Sequence, residues 1–422
     1  MHQLFAIFLF FMCFKFVFEF ILEKLNQSSY ENKEEQKKVC HKLGIDKTDF
    51  QKTLAYTRDK SAFGNLSSLI NLGLLLGFIY LGGFSLLESF AVNFSGKYSH
   101  TLFLNEQIIE GLFFFFLFFV LSTLVSIPFS YYFTFFLEEK HGFNKQSPAS
   151  FFSDLIKSSL LGIILGGVLI SLLLKAMTLG SLWWFFAWAL LSLFTLLTSW
   201  IYPSVLAPLF NKFSPIEDEK LKKGIFDLAE KVDFKTSGIF IMDASTRSTH
   251  GNAYFTGVFG EKRIVLFDTL IKNLNSNQLV AVLAHELGHF KLKHVRYALI
   301  RSLLMSLALF YVLSLCLPME DFYTAFGFSK VSNYAGLVVF SMWFSFVNFV
   351  ISPFMSFLSR QNEFEADAFA VNVTGNEKDL GEALINLSKS NHSMPIAHPL
   401  YSLVHYSHPP LLERLEAIKF SL

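Results

Sequence analysis

From Gly111 to Phe136 the chain reads GLFFFFLFFVLSTLVSIPFSYYFTFF, without one charged side chain. A helix rises about 1.5 Å per residue and the hydrocarbon core of a bilayer is about 30 Å thick, so about 20 apolar residues span it. This stretch reads as a membrane-spanning helix. Six others qualify, at roughly 4–22, 66–87, 155–174, 182–206, 298–317 and 334–358. Composition agrees: with 52% hydrophobic and 16% charged residues, and 53 Phe in 422 residues, too little polar surface remains for a water-soluble enzyme. The expected fold class is a mostly α membrane protein with seven transmembrane helices. Pro128 and Pro203 are expected to mark kinks or helix ends, because proline removes a ladder donor. The Phe-rich run Phe113–Phe119 reads as lipid-facing surface.

Seven spans put alternate loops on opposite sides, and the basic residues test that arrangement. The side holding 23–65, 138–154, 207–297 and the tail from 359 carries 29 of the 35 Lys and Arg. The other side carries only Lys97, Lys175 and Lys330. Discounting the long 207–297 segment still leaves 16 against 3. The first side is therefore predicted cytoplasmic, with the N-terminus outside or lumenal. The apolar run from Leu4 lacks a basic leader and a small-residue cleavage site and is read as a retained helix. Lys15 and Glu19 within it are four apart and are expected to pair with each other, or Lys15 with a partner across the bundle. Cys13, Cys40 and Cys316 have neither the count nor the spacing of a disulfide framework or a thiolate metal site. A net charge of +1 offers no argument for nucleic acid.

Two soluble portions, 207–297 and 359–422, fall on the same side and are expected to form one unit. Ser237–Met242 and Lys262–Phe267 are short β-branched runs, and Ala253–Phe259 reads as a third strand, together a small β-sheet. From Asn277 to about Arg296 the apolar spacing is helical. The Lys- and Glu-rich stretch Glu31–Lys60 is expected to be a solvated helix or loop.

The chemistry begins at His285–His289, HELGH. On a helix the two histidines lie one turn apart on one face, so their imidazoles can converge on one zinc ion, with Glu286 beside them as general base. Chance supplies such an HExxH about 0.02 times in a chain of this composition. A catalytic zinc needs a third protein ligand and an open position. Glu363, in Ser359–Ala370 (SRQNEFEADAFA), is the best candidate, and spacing alone leaves Glu365 equally open. Asp367, one turn beyond Glu363, suits the acceptor that fixes a zinc-bound histidine's tautomer. His294 is off the metal-facing stripe and reads as a helix-end histidine.

HELGH, EFEADAFA, EEKHGFNKQSP (Glu138–Pro148), NAYFTG (Asn252–Gly257), RIVLFDTL and HYSHPPLLERL together resemble the CAAX prenyl protease 1 family of zinc endopeptidases, from about residue 20 to the C-terminus. The resemblance implies seven membrane helices enclosing a chamber capped by a peptidase domain, and removal of the last three residues behind a prenylated cysteine. It makes His285, His289 and Glu363 the ligands of one Zn2+ per chain and selects Glu363 over Glu365. Glu286 becomes the catalytic base. His408 and Arg414 fall on substrate-binding or oxyanion-stabilising positions, and Asn252, Ala253 and Tyr254 on an edge strand that pairs with substrate.

The expected domains are then 1–206, a membrane domain of five helices, and 207–422, a zinc metallopeptidase domain with two more. Expected partners are a prenylated or extended peptide and the lipid bilayer, with no nucleic acid; the sequence is silent on oligomeric state. The expected location is the endoplasmic reticulum membrane of a eukaryote or the inner membrane of a bacterium. Two other functions compete: a quality-control protease for misfolded membrane proteins, and a seven-helix transporter or receptor with an incidental HExxH.

Overall fold

The computed structural model describes residues 3–102, 105–236, 238–256 and 263–420. The membrane half contains α1 (Gln3–Glu31), α2 (Lys33–Leu43), α3 (Lys47–Tyr80), α4 (Gly83–Leu102), α5 (Glu106–Tyr132), α6 (Pro148–Ala176) and α7 (Trp183–Ile201). It is followed by β1 (Phe213–Pro215), α8 (Glu219–Lys231), β2 (Gly238–Met242), β3 (Ala253–Thr256), β4 (Arg263–Phe267) and α9 (Asp268–Asn273). The remainder is helical: α10 (Ser276–Lys291), α11 (His294–Cys316), α12 (Glu320–Thr324), α13 (Asn333–Thr374), α14 (Glu377–Ser390), α15 (Pro399–His405) and α16 (Leu411–Ala417). Among the described residues seven helices are long and apolar enough to cross a membrane: α1, α3, α5 with its extension to Glu138, α6, α7 with its extension to Leu209, α11 and α13. The chain is a multi-pass membrane protein.

Several boundaries differ from the sequence reading. The second span does not run to residue 87: α3 ends at Tyr80, Gly82 turns the chain at φ 74°, and α4 starts at Gly83 and runs on through Leu102, where a loop was expected from 88. Glycine takes that left-handed conformation at no steric cost. The helix expected through Arg296 breaks after Lys291, with Lys293 at φ 63°, and α11 starts at His294. The seventh span and SRQNEFEADAFA are one continuous helix of 42 residues with Pro353 inside it. Pro128 likewise lies inside α5, which passes into a π-helical turn at Phe133–Glu138. Pro203 does mark a change, since Tyr202–Leu206 is π-helical.

The Phe-rich run is less lipid-facing than its composition suggested. Phe114 is fully buried, its ring 5.0 Å from that of Tyr334, and of the run Phe116 alone is exposed. Lys15 and Glu19 do not pair: Glu19 meets His405 at 2.8 Å, and the Lys15 ammonium lies 6.0 Å from the Phe349 ring.

The sheet is β1-β2-β4-β3, with β2 and β4 parallel and the outer pairs antiparallel. β1 had not been anticipated; Ser237, Lys262 and 257–259 of the expected strands lie outside the described residues. The last position places β3 at the edge. One apolar core joins the sheet's inner face to α8, α10 and α14, and it also takes in Val39, Leu43, Phe50 and Leu54. The charged stretch 31–60 is therefore amphipathic helix docked on the C-terminal half. It is started by the Asn32 side chain, which accepts from the amides of Glu34 and Glu35, and α2 is stopped by Gly44 in the left-handed conformation. Arg247 grips Asp154 through two nitrogens, at 2.8 and 3.2 Å, so 138–154 and 207–297 meet at one end. A second core closes the opposite end around Phe84, Phe114, Phe326 and Tyr334.

Candidate metal centre

α10 begins with a capping box: the Asn275 side chain accepts from the Gln278 amide, and the Gln278 side chain accepts from the Asn275 amide. The apolar face of Leu279, Leu283 and Leu287 is buried, which sets the rotation of His285 and His289. Gly288 lies against α13 so closely that a Cβ there would stand 3.1 Å from the Ala366 Cα and 3.2 Å from its carbonyl oxygen. Any larger residue would push the helices apart. The crossing brings His285, His289 and Glu363 together. The two Nε2 atoms are 3.2 Å apart, and they lie 3.4 and 3.2 Å from the Glu363 carboxylate oxygens. These are the residues able to hold a metal ion among the described residues.

Each histidine is held from behind. His285 Nδ1 lies 2.8 Å from Asp367 Oδ1, which places the Nδ1 proton on that bond and leaves Nε2 facing Glu363. Asp367 is fully buried and is clasped by Arg414, Nε to Oδ2 at 2.8 Å and Nη2 to Oδ1 at 2.7 Å. His289 Nδ1 lies 3.0 Å from His294 Nδ1, and His294 Nε2 lies 3.0 Å from Glu365 Oε2. Glu365, the alternative ligand, thus points away from the centre onto His294. That relay escaped the sequence reading; the carboxylate two residues beyond Glu363 was its only signal.

The electrostatics fit a cation at this centre. Burial opposes charge on His285, yet the hydrogen bond to Asp367 and the Glu363 carboxylate beside Nε2 outweigh it and push the imidazole up to about 9. Glu363 Oε2 is buried with no hydrogen-bond partner, an arrangement that is costly unless an ion satisfies it. The Glu286 carboxyl is raised above the usual carboxylate range by burial, against the pull of the neighbouring imidazoles. A carboxylate so raised is a better proton acceptor.

His408 Nε2 stands 3.5 Å from Glu363 Oε1, with most of its side chain open. The Arg414 Nη1 faces Glu363 Oε2 at 3.7 Å while its other nitrogens are spent on Asp367. His408 is set by a residue that had not been singled out. Arg360, one turn before Glu363 and buried, donates Nη1 to the carbonyls of Ser402 at 2.8 Å and Tyr406 at 2.7 Å. A cation at those C-terminal carbonyls of α15 fixes the approach to His408.

Asn252 precedes the edge strand; its carbonyl accepts from the Phe267 amide at 3.0 Å and its side chain from the Ala253 amide at 2.8 Å. Ala253 is buried toward α10, whereas Tyr254 faces the other side of the sheet and lines a separate recess of about 520 Å³. The EEKHGFNKQSP string holds this approach in place. Glu138 accepts from the Tyr56 hydroxyl at 2.5 Å and lies 3.2 Å from His250 Nε2, and Phe143 stacks on the His250 ring at 4.2 Å. A cavity of about 1250 Å³ runs from Arg414, His408 and Asn252 to the polar faces of α1 and α3.

Comparison with known proteins agrees with this arrangement. A family model described as the CAAX prenyl protease N-terminal region, five membrane helices, matches residues 29–212, and peptidase family M48 matches 215–421. The CAAX prenyl protease 1 homolog of Arabidopsis thaliana is 37% identical, covering 89% of this chain and 88% of its own. CAAX prenyl protease 1 of Saccharomyces cerevisiae is 37% identical, covering 89% and 87%. The crystal structure of S. mikatae Ste24p superposes with a TM-score of 0.90 at 35% identity, covering 99% of each chain. Similar to these relatives along nearly its whole length, the chain belongs to the CAAX prenyl protease 1 family of membrane metalloproteases.

Proposed function

We propose that the chain is a zinc endopeptidase that removes the C-terminal tripeptide from prenylated CAAX proteins. Its site would face the cytoplasm, as the excess of Lys and Arg on that side suggests, in the endoplasmic reticulum membrane of a eukaryote or the inner membrane of a bacterium. The observation that carries the metal is the donor set. Tetrahedral zinc with ligand bonds of about 2.0–2.1 Å separates its donors by about 3.3 Å. The two Nε2 atoms are 3.2 Å apart, and the Glu363 carboxylate stands close to that spacing from both, Oε2 at 3.4 Å from His285 and Oε1 at 3.2 Å from His289. A bound zinc would polarise the scissile carbonyl and make water acidic enough to attack near neutral pH.

The chain's own residues do the rest. Glu286 takes a proton from the attacking water and returns it to the leaving amine. His408, with Arg414 Nη1 behind it, supplies a donor to the oxyanion. Asp367 keeps His285 in the tautomer whose Nε2 faces inward, and Arg414 keeps Asp367 ionised. The free edge of β3 receives an extended peptide through main-chain bonds, with Asn252 at its start and Ala253 and Tyr254 contributing backbone.

The test incubates purified protein with a farnesylated CAAX peptide and its unprenylated twin, beside Glu286→Ala. The expected result is tripeptide release from the farnesylated peptide by wild type alone. No release by zinc-loaded wild type would refute the function, and normal cleavage by Glu286→Ala would refute the mechanism.

A further inference from the structure

We propose that the end of the chamber beyond Gly251, with Lys60 in its wall, receives the free carboxylate at the substrate's C-terminus, an inference that rests on the CAAX reading. Among the described residues β3 pairs with β4 alone. Antiparallel pairs outnumber parallel ones about two- to three-fold, and a peptide added antiparallel to β3 runs toward its N-terminal end. Its C-terminal half then passes Asn252, Gly251 and His250. Three extended residues beyond the scissile bond reach about 10 Å.

The cavity continues in that direction, bordered by Asn252, Gly251, His250, Tyr56 and Lys60. The structure joins these groups. His250 and Tyr56 share the Glu138 carboxylate, at 3.2 and 2.5 Å, and Lys60, one turn along α3 from Tyr56, holds its ammonium 5.0 Å from the Tyr56 ring. Gly251 is fastened to the Asn391 side chain, its amide donating at 3.1 Å and its carbonyl accepting at 3.4 Å. That end of the chamber is therefore rigid.

Lys60 is exposed to the cavity, and no carboxylate of the described residues lies within ion-pair distance of it. Glu138 feels the Lys60 charge but spends its hydrogen bonds on Tyr56 and His250 and makes no ion pair with Lys60. The wall's other carboxylates are committed as well, Glu19 to His405 and Glu23 to the Ser61 hydroxyl. The second wall cation lacking a carboxylate, Lys15, is on α1 beside Phe349 of α13, away from the edge strand. A peptide cut three residues from its end brings one obligatory negative charge, and Lys60 is the unpaired cation on the path that charge takes.

The experiment compares a farnesylated CAAX peptide ending in a free acid with the same peptide ending in an amide, using wild type, Lys60→Gln and Lys60→Arg. Wild type is expected to show a KM about tenfold lower for the acid, the worth of one charge-assisted contact. Lys60→Gln is expected to abolish that preference by raising the KM for the acid alone, and Lys60→Arg to restore it. A Lys60→Gln enzyme that keeps the preference, or that loses equally on both peptides, overturns the assignment. Wild type that cleaves neither peptide overturns the CAAX reading, and this inference with it.

Discussion

The long helix α13 meets a cluster of buried carboxylates near each end of its course, Glu88 and Glu110 of α4 and α5 at its start and its own Glu363 and Asp367 further on, and the two clusters are finished differently. Near its start, Tyr334 donates to Glu110 at 2.6 Å and reaches Glu88 at 3.3 Å, Ser329 donates its amide and hydroxyl to Glu88, and Lys330 pairs with Glu110 at 2.9 Å. Every carboxylate oxygen there has a partner. Near the other end, Glu363 keeps one buried oxygen without a hydrogen bond, between two imidazoles whose other nitrogens are already engaged. A satisfied network fastens elements together, and an unsatisfied one marks where a ligand belongs. On this account the first cluster locks the turn before α13 onto α4 and α5, and the second is built for an ion.

Breaking the second cluster should cost function and breaking the first should cost stability. The largest effect is expected from Glu286→Gln, which keeps the metal donors but removes the base: kcat/KM should fall about 10²- to 10⁴-fold with metal content unchanged, as steady-state assays and metal analysis would show. Asp367→Asn leaves His285 without its carboxylate and Arg414 without its partner. Metal affinity or activity should drop about 10- to 100-fold, measured by titration with a competing chelator.

Arg360→Ala frees the carbonyls of Ser402 and Tyr406 and loosens the approach to His408. The expected loss is about tenfold in kcat with normal metal content. An unchanged kcat would separate His408's placement from Arg360. The smallest catalytic effect belongs to Tyr334→Phe. Thermal unfolding in detergent should reveal about 1–3 kcal/mol of lost stability, while activity per folded molecule stays within about twofold.

The contrast also explains what the sequence could disclose. HELGH was legible because a helix converts a spacing of four into a shared face, and Asp367 was legible beside Glu363 for the same reason. Seven spans were legible because hydrophobic length is a local property. The second span's end was misread because Leu81, Gly82 and Gly83 add to an apolar average while Gly82 turns the chain. Choosing Glu363 over Glu365, and noticing His408 and Arg414, depended on family resemblance, because each meets the centre only through tertiary packing. Glu138 on His250, Arg360 on the α15 carbonyls and His294 behind His289 carried no usable local signal. Their partners are 112, 42 and 5 residues away, and even the nearest requires the left-handed turn at Lys293.

The most direct measurement is metal analysis of the purified wild type, Glu363→Ala and Tyr334→Phe side by side. One zinc per chain is expected in the wild type and in Tyr334→Phe, and its substantial loss in Glu363→Ala with the fold retained. Zinc held undiminished by Glu363→Ala, or absent from a folded wild type supplied with zinc, would contradict that expectation.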